Sequence, residues 1–199
     1  MLMSCLVMVR PLGATTILGM SIDEVAQGAE IIFEGKVVEH NVRENNMGMI
    51  VTYVTFRIKE LLKGEYDEAL LALKFPGGRL GEQIMEVSGL RIPSPNEEGF
   101  YFVESINRNL VNPLLGWSQG HYLIYEQNGE RRVSTVNDRP VTDVLSTQSV
   151  PVALRRPVSV IDGDTDPATG VVAPSQILDS DQALTTELFK AKIRALVDY

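Results

Sequence analysis

The stretch that decides the fold is EIIFEGKVVEHNV, residues 30–42, which a short turn connects to VTYVTFRIKELLKGE, residues 51–65. Residues with β-branched or aromatic side chains are frequent in both runs, as is typical of β-strands. The second run alternates between an apolar side and a more polar side, which indicates a strand with one buried face. Gly35 within the first run indicates a bulge or a sharp bend. The two runs therefore predict a long, bent antiparallel hairpin.

Further runs of the same kind follow along the chain. Strands are predicted at residues 69–75, 82–90 and 100–106, and a hairpin at residues 121–136. The hairpin turn carries Asn128-Gly129, and Asn-Gly is the strongest short hairpin signal. Short strands at this spacing favour a mainly β fold, namely a small antiparallel OB-like barrel of roughly five or six strands.

A helix is predicted on each side of these strands. Ser21 and Glu24 have the spacing of a capping box, so a short helix should run from Ser21 to Gln27 and end at Gly28. A C-terminal helix is predicted over residues 181–197 and should pack on the barrel. The apolar face of this helix would comprise Leu184, Leu188, Ile193, Leu196 and Val197.

The domain organisation is one barrel with additions at both ends. The barrel is predicted over residues 15–138, and a proline-rich extended arm or linker over residues 139–180. Residues 1–14 are predicted to be an export signal, because their apolar run does not alternate with polar residues, and the missing basic residues indicate that it is truncated at its start. The alternative is a strand that packs in the core. We therefore expect a periplasmic or secreted protein. Nothing in the sequence resembles a transmembrane helix.

Charge and cysteine content argue against several classes of protein. The chain of 199 residues has a net charge of −8 and 44% hydrophobic residues, which suits an acidic globular domain. Nucleic-acid binding is not expected, because it needs clustered Lys and Arg, and no basic run exceeds two residues. The single cysteine, Cys5, cannot form an internal disulfide, so the fold must be stable without one.

The opening stretch resembles the start of netrin-like (NTR) modules with an OB fold, which include the tissue inhibitors of metalloproteinases. The matching positions are Ala29, Glu30, Gly35, Lys36, Val37, Lys63 and Gly64. Residues 15–136 are also similar to a group of uncharacterised exported bacterial proteins that share the G-K-V, L-K-G and P-G-G marks. The resemblance implies an OB-like barrel that binds another protein, with a protease as one candidate. The inhibitors rely on an N-terminal cysteine and on disulfides, which Cys5 alone does not match.

The histidines and one serine allow a chemical hypothesis. His40 and His121 are the only histidines, too few and too far apart in sequence for a zinc site, so surface or strand-edge positions are favoured. GWSQG, residues 116–120, matches the Gly-x-Ser-x-Gly pattern of serine hydrolases, with Ser118 as nucleophile and either histidine as base. Because the motif precedes a strand rather than a helix, a tight turn with Trp117 packed on the barrel is favoured.

Two loops could bind ligands or partners. Asp162, Asp164 and Asp166 alternate as in calcium loops, but Pro and Ala occupy the positions of the required Gly and Glu. A solvated acidic turn is favoured, and calcium contact is left open. KFPGGRLGE, residues 74–82, lacks the P-loop pattern and suits a turn at the barrel rim, where OB folds bind partners. The candidate binding residues are Lys74, Gly77, Gly78, Arg79, Trp117 and Gln119.

The sequence thus predicts a non-enzymatic, exported protein-binding module, with no catalytic residue, cofactor or metal. Its partner would be a protease or an envelope protein. Two alternatives stay open: a serine-type hydrolase that uses the GWSQG turn, and a structural protein of the envelope whose arm wraps a neighbour.

Overall fold

The computed structural model describes residues 16–147, 157–159, 167–174 and 182–197. The strands are β1 (Thr16–Leu18), β2 (Ile31–Glu44), β3 (Ile50–Lys63), β4 (Leu70–Pro76), β5 (Gly78–Leu80), β6 (Gln83–Met85), β7 (Glu98–Val103), β8 (His121–Gln127), β9 (Glu130–Thr135), β10 (Asp143–Val144), β11 (Pro157–Ser159) and β12 (Val171–Val172). The α-helices are α1 (Ile22–Gly28) and α2 (Thr186–Val197), and Trp117–Gly120 form a 3₁₀ helix. The prediction of a mainly β protein with a helix near each end is confirmed.

The main sheet has six antiparallel strands in the order β4-β3-β2-β7-β8-β9. Three two-stranded sheets accompany it: β1 with β11, β5 with β6, and β10 with β12. The order of the main sheet is open, with β4 and β9 as its edge strands. Among the described residues no strand pairing joins these two edges, so the closed form of the predicted OB-like barrel is not found there.

The hairpin of β2 and β3 contains the two longest strands of the sheet. Both strands have 14 residues, and their register shifts at three places, one of them between Glu34 and Gly35. The predicted bulge at Gly35 is therefore confirmed. A Cβ atom at Gly35 would lie 2.7 Å from Cε2 of Phe33 and 3.0 Å from the carbonyl oxygen of Arg57. Only glycine lets the two strands and the Phe33 ring approach so closely.

The two faces of the sheet pack into two separate cores, because successive side chains of a strand point to opposite faces. Ile32 contributes to the helix-side core, and its neighbours Ile31 and Phe33 contribute to the hairpin-side core. The helix-side core is formed mainly by Ile22, Val25, Ala26, Ile32, Phe100, Phe102, Tyr122, Val133, Phe189 and Ile193. The hairpin-side core is formed by Ile31, Phe33, Val37, Val54, Phe56, Leu71, Leu73, Phe75, Tyr101, Val103 and Leu114.

Both predicted helices are present, with changed boundaries. The capping box is confirmed, since Ser21 Oγ accepts from the Glu24 amide at 3.2 Å and the Ser21 amide donates to Glu24 Oε2 at 2.9 Å. Helix α1 ends at Gly28 as predicted, with Gly28 as its last residue and Ala29 as the C-cap. In α2 the buried apolar positions are Phe189, Ile193 and Leu196, at i, i+4 and i+7.

The predicted apolar face of α2 is partly wrong. Leu188 is 55% exposed, whereas Phe189, which was not predicted, is fully buried. Leu184 is buried but precedes the helix, which starts at Thr186. Packing decided this outcome, because Phe189 lies between the rings of Phe100 and Tyr122 on the sheet, with centroid distances of 4.7 and 5.2 Å.

Parts of the predicted arm contribute to the helix-side core. Val141, Val144, Ala168 and Val171 are buried in the helix-side core. The amide of Val141 donates to the Val133 carbonyl at 2.9 Å, so the arm also lines β9. The predicted signal segment, residues 1–14, and the acidic turn of Asp162, Asp164 and Asp166 lie outside the described residues.

The remaining turns and strands mostly follow the prediction. Asn128 and Gly129 form the turn between β8 and β9 with φ of 53° and 78°, as the Asn-Gly signal requires. The strand predicted at residues 82–90 is wrong in length, since only β6 forms there. The rest of that run is irregular, and Leu90 packs against the hairpin-side core. No helix in the described part of the chain is both long and apolar enough to span a membrane.

We expect Gly64→Ala to destabilise the fold strongly. Gly64 has a φ of 81°, and a Cβ atom there would meet the Glu30 carbonyl oxygen and lie 2.7 Å from Cγ2 of Ile31. The matched control is Gly129→Ala, with a φ of 78° and nothing within 4 Å of the added atom. The control should cost about 1 kcal/mol and Gly64→Ala more than about 3 kcal/mol in urea denaturation. Equal losses would show that the close approach at Gly64 does not matter.

Candidate functional site

Two surface clefts lie on the strands and loops that follow the long hairpin. The β8–β9 cleft, with a volume of ≈ 980 Å³, is lined among others by Glu97, Leu123, Tyr125 and Ser134. The β5–β6 cleft, with a volume of ≈ 720 Å³, is lined among others by Gly78, Arg79, Ile84, Leu90 and Arg91. Glu97 lines the first cleft and Arg91 lines the second, and these two side chains are joined by a salt bridge of 2.7 Å.

The salt bridge belongs to a buried group that we call the Glu97 cluster: Arg91, Glu97, Tyr101 and His121. The sheet register creates it, because Tyr101 of β7 and His121 of β8 are directly opposite each other. Glu97 Oε1 lies 2.7 Å from His121 Nε2 and accepts from the Tyr101 hydroxyl at 3.2 Å. Glu97 Oε2 lies 2.7 Å from Arg91 Nη2 and accepts from the Ser94 amide at 3.2 Å. Each carboxylate oxygen of Glu97 thus has two polar partners.

The surroundings set the charges of the Glu97 cluster. Burial opposes ionisation of Glu97, but the hydrogen bond from His121, the Arg91 guanidinium and the Ser94 amide outweigh it and lower the pKa of Glu97 to about 2. Burial and the neighbouring Arg91 charge together lower the pKa of His121 more than Glu97 raises it, so we assign a neutral imidazole at pH 7. An ionised Glu97 can only accept, so His121 Nε2 carries the proton and donates it. Burial and Glu97 together raise the pKa of Tyr101.

The Glu97 cluster is better suited to hold a segment of the chain in place than to transfer protons. A carboxyl group with a pKa near 2 stays ionised at neutral pH and is a poor general acid or base. His121 is only 1% exposed and its ring packs on that of Tyr101 at 5.0 Å between centroids. The cluster therefore attaches the segment from Arg91 to Glu97, which separates the two clefts, to the edge of β7 and β8.

A second buried group lies on the opposite face of the sheet, and we call it the Glu34 cluster. The Glu34 side chain is 1% exposed and faces three cations. Lys59 Nζ, Arg131 Nη1 and Lys190 Nζ lie 2.9, 2.7 and 3.3 Å from its oxygens. Burial raises the pKa of Glu34, but the hydrogen bonds and charges of Lys59 and Arg131 outweigh this and lower it below its ordinary value.

The Glu34 cluster connects helix α2 to the sheet through Lys190. Its side chain is 4% exposed and its ammonium group also contacts Glu60 at 2.8 Å and Glu187 at 2.5 Å. Burial lowers the pKa of Lys190, but the three carboxylates outweigh burial and raise it, so the side chain is charged at neutral pH. Arg194, one helical turn further, also bonds Glu60. These ion pairs fix the helix against β2 and β3.

The structure separates the candidate residues of the glycine-rich loop. Gly78 and Arg79 line the β5–β6 cleft. Gly77 is hydrogen-bonded to strand β3: its amide donates to the Ile50 carbonyl at 2.8 Å, and its carbonyl accepts from Thr52 Oγ1 at 2.7 Å. Lys74 lines a different, smaller recess of ≈ 270 Å³ and bonds the Asn109 side chain.

Of the two candidates from GWSQG, Gln119 holds the N-terminal segment in place. Gln119 is 2% exposed, accepts from the Met20 amide at 2.7 Å and donates to the Leu18 carbonyl at 3.1 Å. Trp117 is half-buried in the 3₁₀ helix with a φ of 60°. The six candidate binding residues therefore line separate parts of the molecule, and only Gly78 and Arg79 share a cleft.

The structure also changes the interpretation of the histidines. The prediction that His121 lies at a surface or strand edge is wrong. Its side chain is buried, and its ring packs against that of Tyr101 on the neighbouring strand β7. His40 is half-buried within β2. The motif GWSQG precedes a strand as predicted, and its Ser118 Oγ is buried without a hydrogen-bond partner in the described part of the chain. His121 thus does not activate Ser118 in this arrangement.

Metal binding finds no support among the residues that the structure describes. In those ranges no group of three or more His, Cys, Asp and Glu side chains is close enough to hold an ion. This says nothing of Asp162, Asp164 and Asp166, which are outside them.

The sequence carries signals for the Glu34 cluster at two positions, Glu34 and Lys190. Glu34 is a single charged residue within an apolar run that is buried on both faces. Lys190 follows Phe189 and lies one turn before Ile193 and Arg194, so a cation stands beside the apolar face of α2. A charge at such a position indicates a buried partner, but sequence alone does not say which one.

Comparison with known proteins gave no relative. No family model matches the chain, and searches of curated proteins and of solved structures returned no match. The function is therefore inferred from the molecule itself.

We expect Glu97→Gln to destabilise the fold by about 3 kcal/mol at pH 7, because the half-buried Arg91 loses its counter-ion and the buried His121 loses its acceptor. The folded-state pKa of Glu97 is lowered from 4.5 to about 2, so its stabilisation is complete above about pH 5 and is lost as pH falls towards 2. The difference in unfolding free energy between wild type and variant should shrink over this range in urea titrations. A difference that is constant from pH 7 to pH 3 would contradict this assignment.

We expect Lys190→Met to cost about 3 kcal/mol of unfolding free energy, because it leaves Glu34 buried with one cation fewer. The matched control on the same helix is Lys192→Met. Lys192 pairs with Asp143 at 2.6 Å, but its side chain is 37% exposed, so the control should cost at most about 1 kcal/mol. Urea denaturation followed by circular dichroism measures both. If the two losses were equal, burial of the Lys190 charge would not stabilise the docking of α2.

Proposed function

We propose that this chain is a non-enzymatic, exported binding module that engages a protein partner, a protease or an envelope protein, through the β5–β6 cleft. The observation that carries the proposal is the state of the ionisable groups. In the two buried clusters of the described chain, carboxylates face cations within hydrogen-bonding distance. Such groups stabilise a scaffold, whereas catalysis needs a group whose charge state can change near neutral pH.

The finer fold that we propose is an OB-like barrel related to netrin-like modules. Its support is the hairpin-side core. Side chains from β2, β3, β4 and β7 meet there with Leu114 of the following loop, which is the arrangement of a sheet curved around its own side chains. The rings of Phe33, Phe56 and Tyr101 touch each other with centroid distances of 4.6–5.6 Å.

The β5–β6 cleft has the chemistry of a protein-binding surface. Ile84 on its edge is 54% exposed, and Arg79 beside it is exposed. Arg91 on its wall is held by Glu97 and cannot move freely. An exposed apolar residue beside an arginine fits a partner segment with an acidic and an apolar side chain. The lining also carries the exposed carboxylate of Glu86, and Arg91 is already paired with Glu97, so Arg79 is the cation that an acidic side chain of the partner would meet.

The test is site-specific photo-crosslinking in the native host. A photoreactive residue at Arg79 or Ile84 should give one discrete adduct, and the same residue at Glu65, an exposed position in the turn after β3, should give none. Mass spectrometry of the adduct then distinguishes a protease from an envelope protein. The purified partner should bind Ile84→Asp at least tenfold more weakly than wild type. Identical adducts at all three positions, or none at Arg79 and Ile84, would overturn the cleft as the binding site.

The alternative function, a serine-type hydrolase with Ser118 as nucleophile, is tested separately with Ser118→Ala. Because the Ser118 hydroxyl is buried without a partner, this variant should keep its stability and its crosslinking pattern. If purified wild type hydrolysed ester or peptide substrates and Ser118→Ala did not, the protein would be an enzyme and the proposal would be wrong.

A further inference from the structure

The long strand β2 has an edge that the sheet leaves open. Strand β7 pairs with β2 only from Ile31 to Lys36. Val37 is the last residue bonded on that side: its amide donates to the Glu97 carbonyl at 2.9 Å, and its carbonyl accepts from the Asn96 amide at 3.2 Å. From residue 38 to residue 44 the strand pairs with β3 alone, with Val38 in a bulge, and makes no other backbone hydrogen bond to the described residues. Gly78 of β5 packs on one face of this segment at Val42 and leaves its backbone edge unpaired. This overhang is about 24 Å long.

The two outermost strands of the main sheet, β9 and β4, are protected. The outer edge of β9 is covered, because Val133 and Thr135 donate to the carbonyls of Leu184 and Arg139 at 3.0 and 2.9 Å. The outer edge of β4 carries Lys74 and ends at Pro76, and both residue types discourage strand pairing. The overhang of β2 contains neither lysine nor proline.

The charges of the overhang are complementary to the same segment read in the opposite direction. Glu39, Asn41 and Arg43 are exposed at alternate positions. Arg43 is held in place by its contact with the Tyr53 ring, 4.0 Å from the centroid. If two copies of this segment pair antiparallel about Asn41, Glu39 of each copy lies directly opposite Arg43 of the other. Opposite charges at directly paired positions stabilise a sheet, and like charges destabilise it.

We propose that residues 38–44 of β2 pair antiparallel with the same residues of a second copy, about a two-fold axis at Asn41. The interface is isologous, so each cross-strand contact occurs twice. On the other face, His40 of each copy faces Val42 of its partner, next to the hairpin-side core. An edge of this length buries little area, so we expect a dissociation constant on the order of micromolar. The self-association uses a surface different from the β5–β6 cleft.

Charge reversal tests the pairing in sedimentation velocity runs over a range of concentrations. Arg43→Glu places Glu opposite Glu twice and should raise the dimer dissociation constant roughly tenfold or more. Glu39→Arg with Arg43→Glu restores opposite charges and should restore the dimer. Arg57→Glu, an exposed site on β3 with the same change in net charge, is the matched control and should leave it unchanged. A monomer at all concentrations, or a double variant as weak as Arg43→Glu, would overturn the proposal.

Crosslinking tests the position of the axis. In a chain with Cys5→Ser, Asn41→Cys places two thiols directly opposite each other, within the Cα separation that a disulfide accepts. Mild oxidation should therefore give a covalent dimer. Glu39→Cys would separate the two thiols by about 13 Å along the strands and should give none. A dimer in sedimentation that Asn41→Cys does not trap would place the interface elsewhere and refute this one.

Discussion

The burial of the Glu34 carboxylate is the constraint on which the rest of the structure depends. An ionised carboxylate in a protein interior costs several kcal/mol unless cations and hydrogen-bond donors surround it. Here the cations come from three different elements: Lys59 from β3, Arg131 from β9 and Lys190 from α2. The position of one charge on β2 therefore determines where a neighbouring strand, a distant strand and the C-terminal helix lie.

The two-sided burial of β2 explains why that charge must be paired. The first five residues of the strand are all buried, since helices cover one face and the hairpin-side core covers the other. Water cannot solvate Glu34 from either face. The same crowding requires Gly35 as the next residue, because any side chain there would collide with the Phe33 ring. Glu34 and Gly35 thus belong to one feature, the place where the long hairpin bends and the helix is attached.

The ionic groups also divide the molecule into a scaffold of buried ion pairs and an acidic surface. The buried cations neutralise buried carboxylates, whereas exposed acidic residues give the chain its net charge of −8. An acidic surface with a few exposed arginines interacts selectively rather than generally, since most of it repels other acidic surfaces. Arg79 at the β5–β6 cleft and Arg43 on the overhang are two such exceptions, and each lies beside apolar or hydrogen-bonding groups that are free to pair. Selectivity of this kind suits a module that recognises few partners.

Interactions between residues close together in the chain account for most of what the sequence alone could predict. The capping box at Ser21, the Asn128-Gly129 turn and the bulge at Gly35 each depend on residues a few positions apart, and the structure confirms all three. The clusters and the clefts depend on pairs distant in sequence, such as Arg131 and Glu34, which are 97 residues apart. Strand order and helix docking choose those partners. The sequence by itself therefore determined strands, turns and caps, and only the tertiary structure decided that His121 is buried, that Phe189 replaces Leu188 in the core, and which charges meet. The physical reason is that hydrogen bonds in turns and caps form between neighbours in the chain, whereas burial and ion pairing depend on the whole packed sheet.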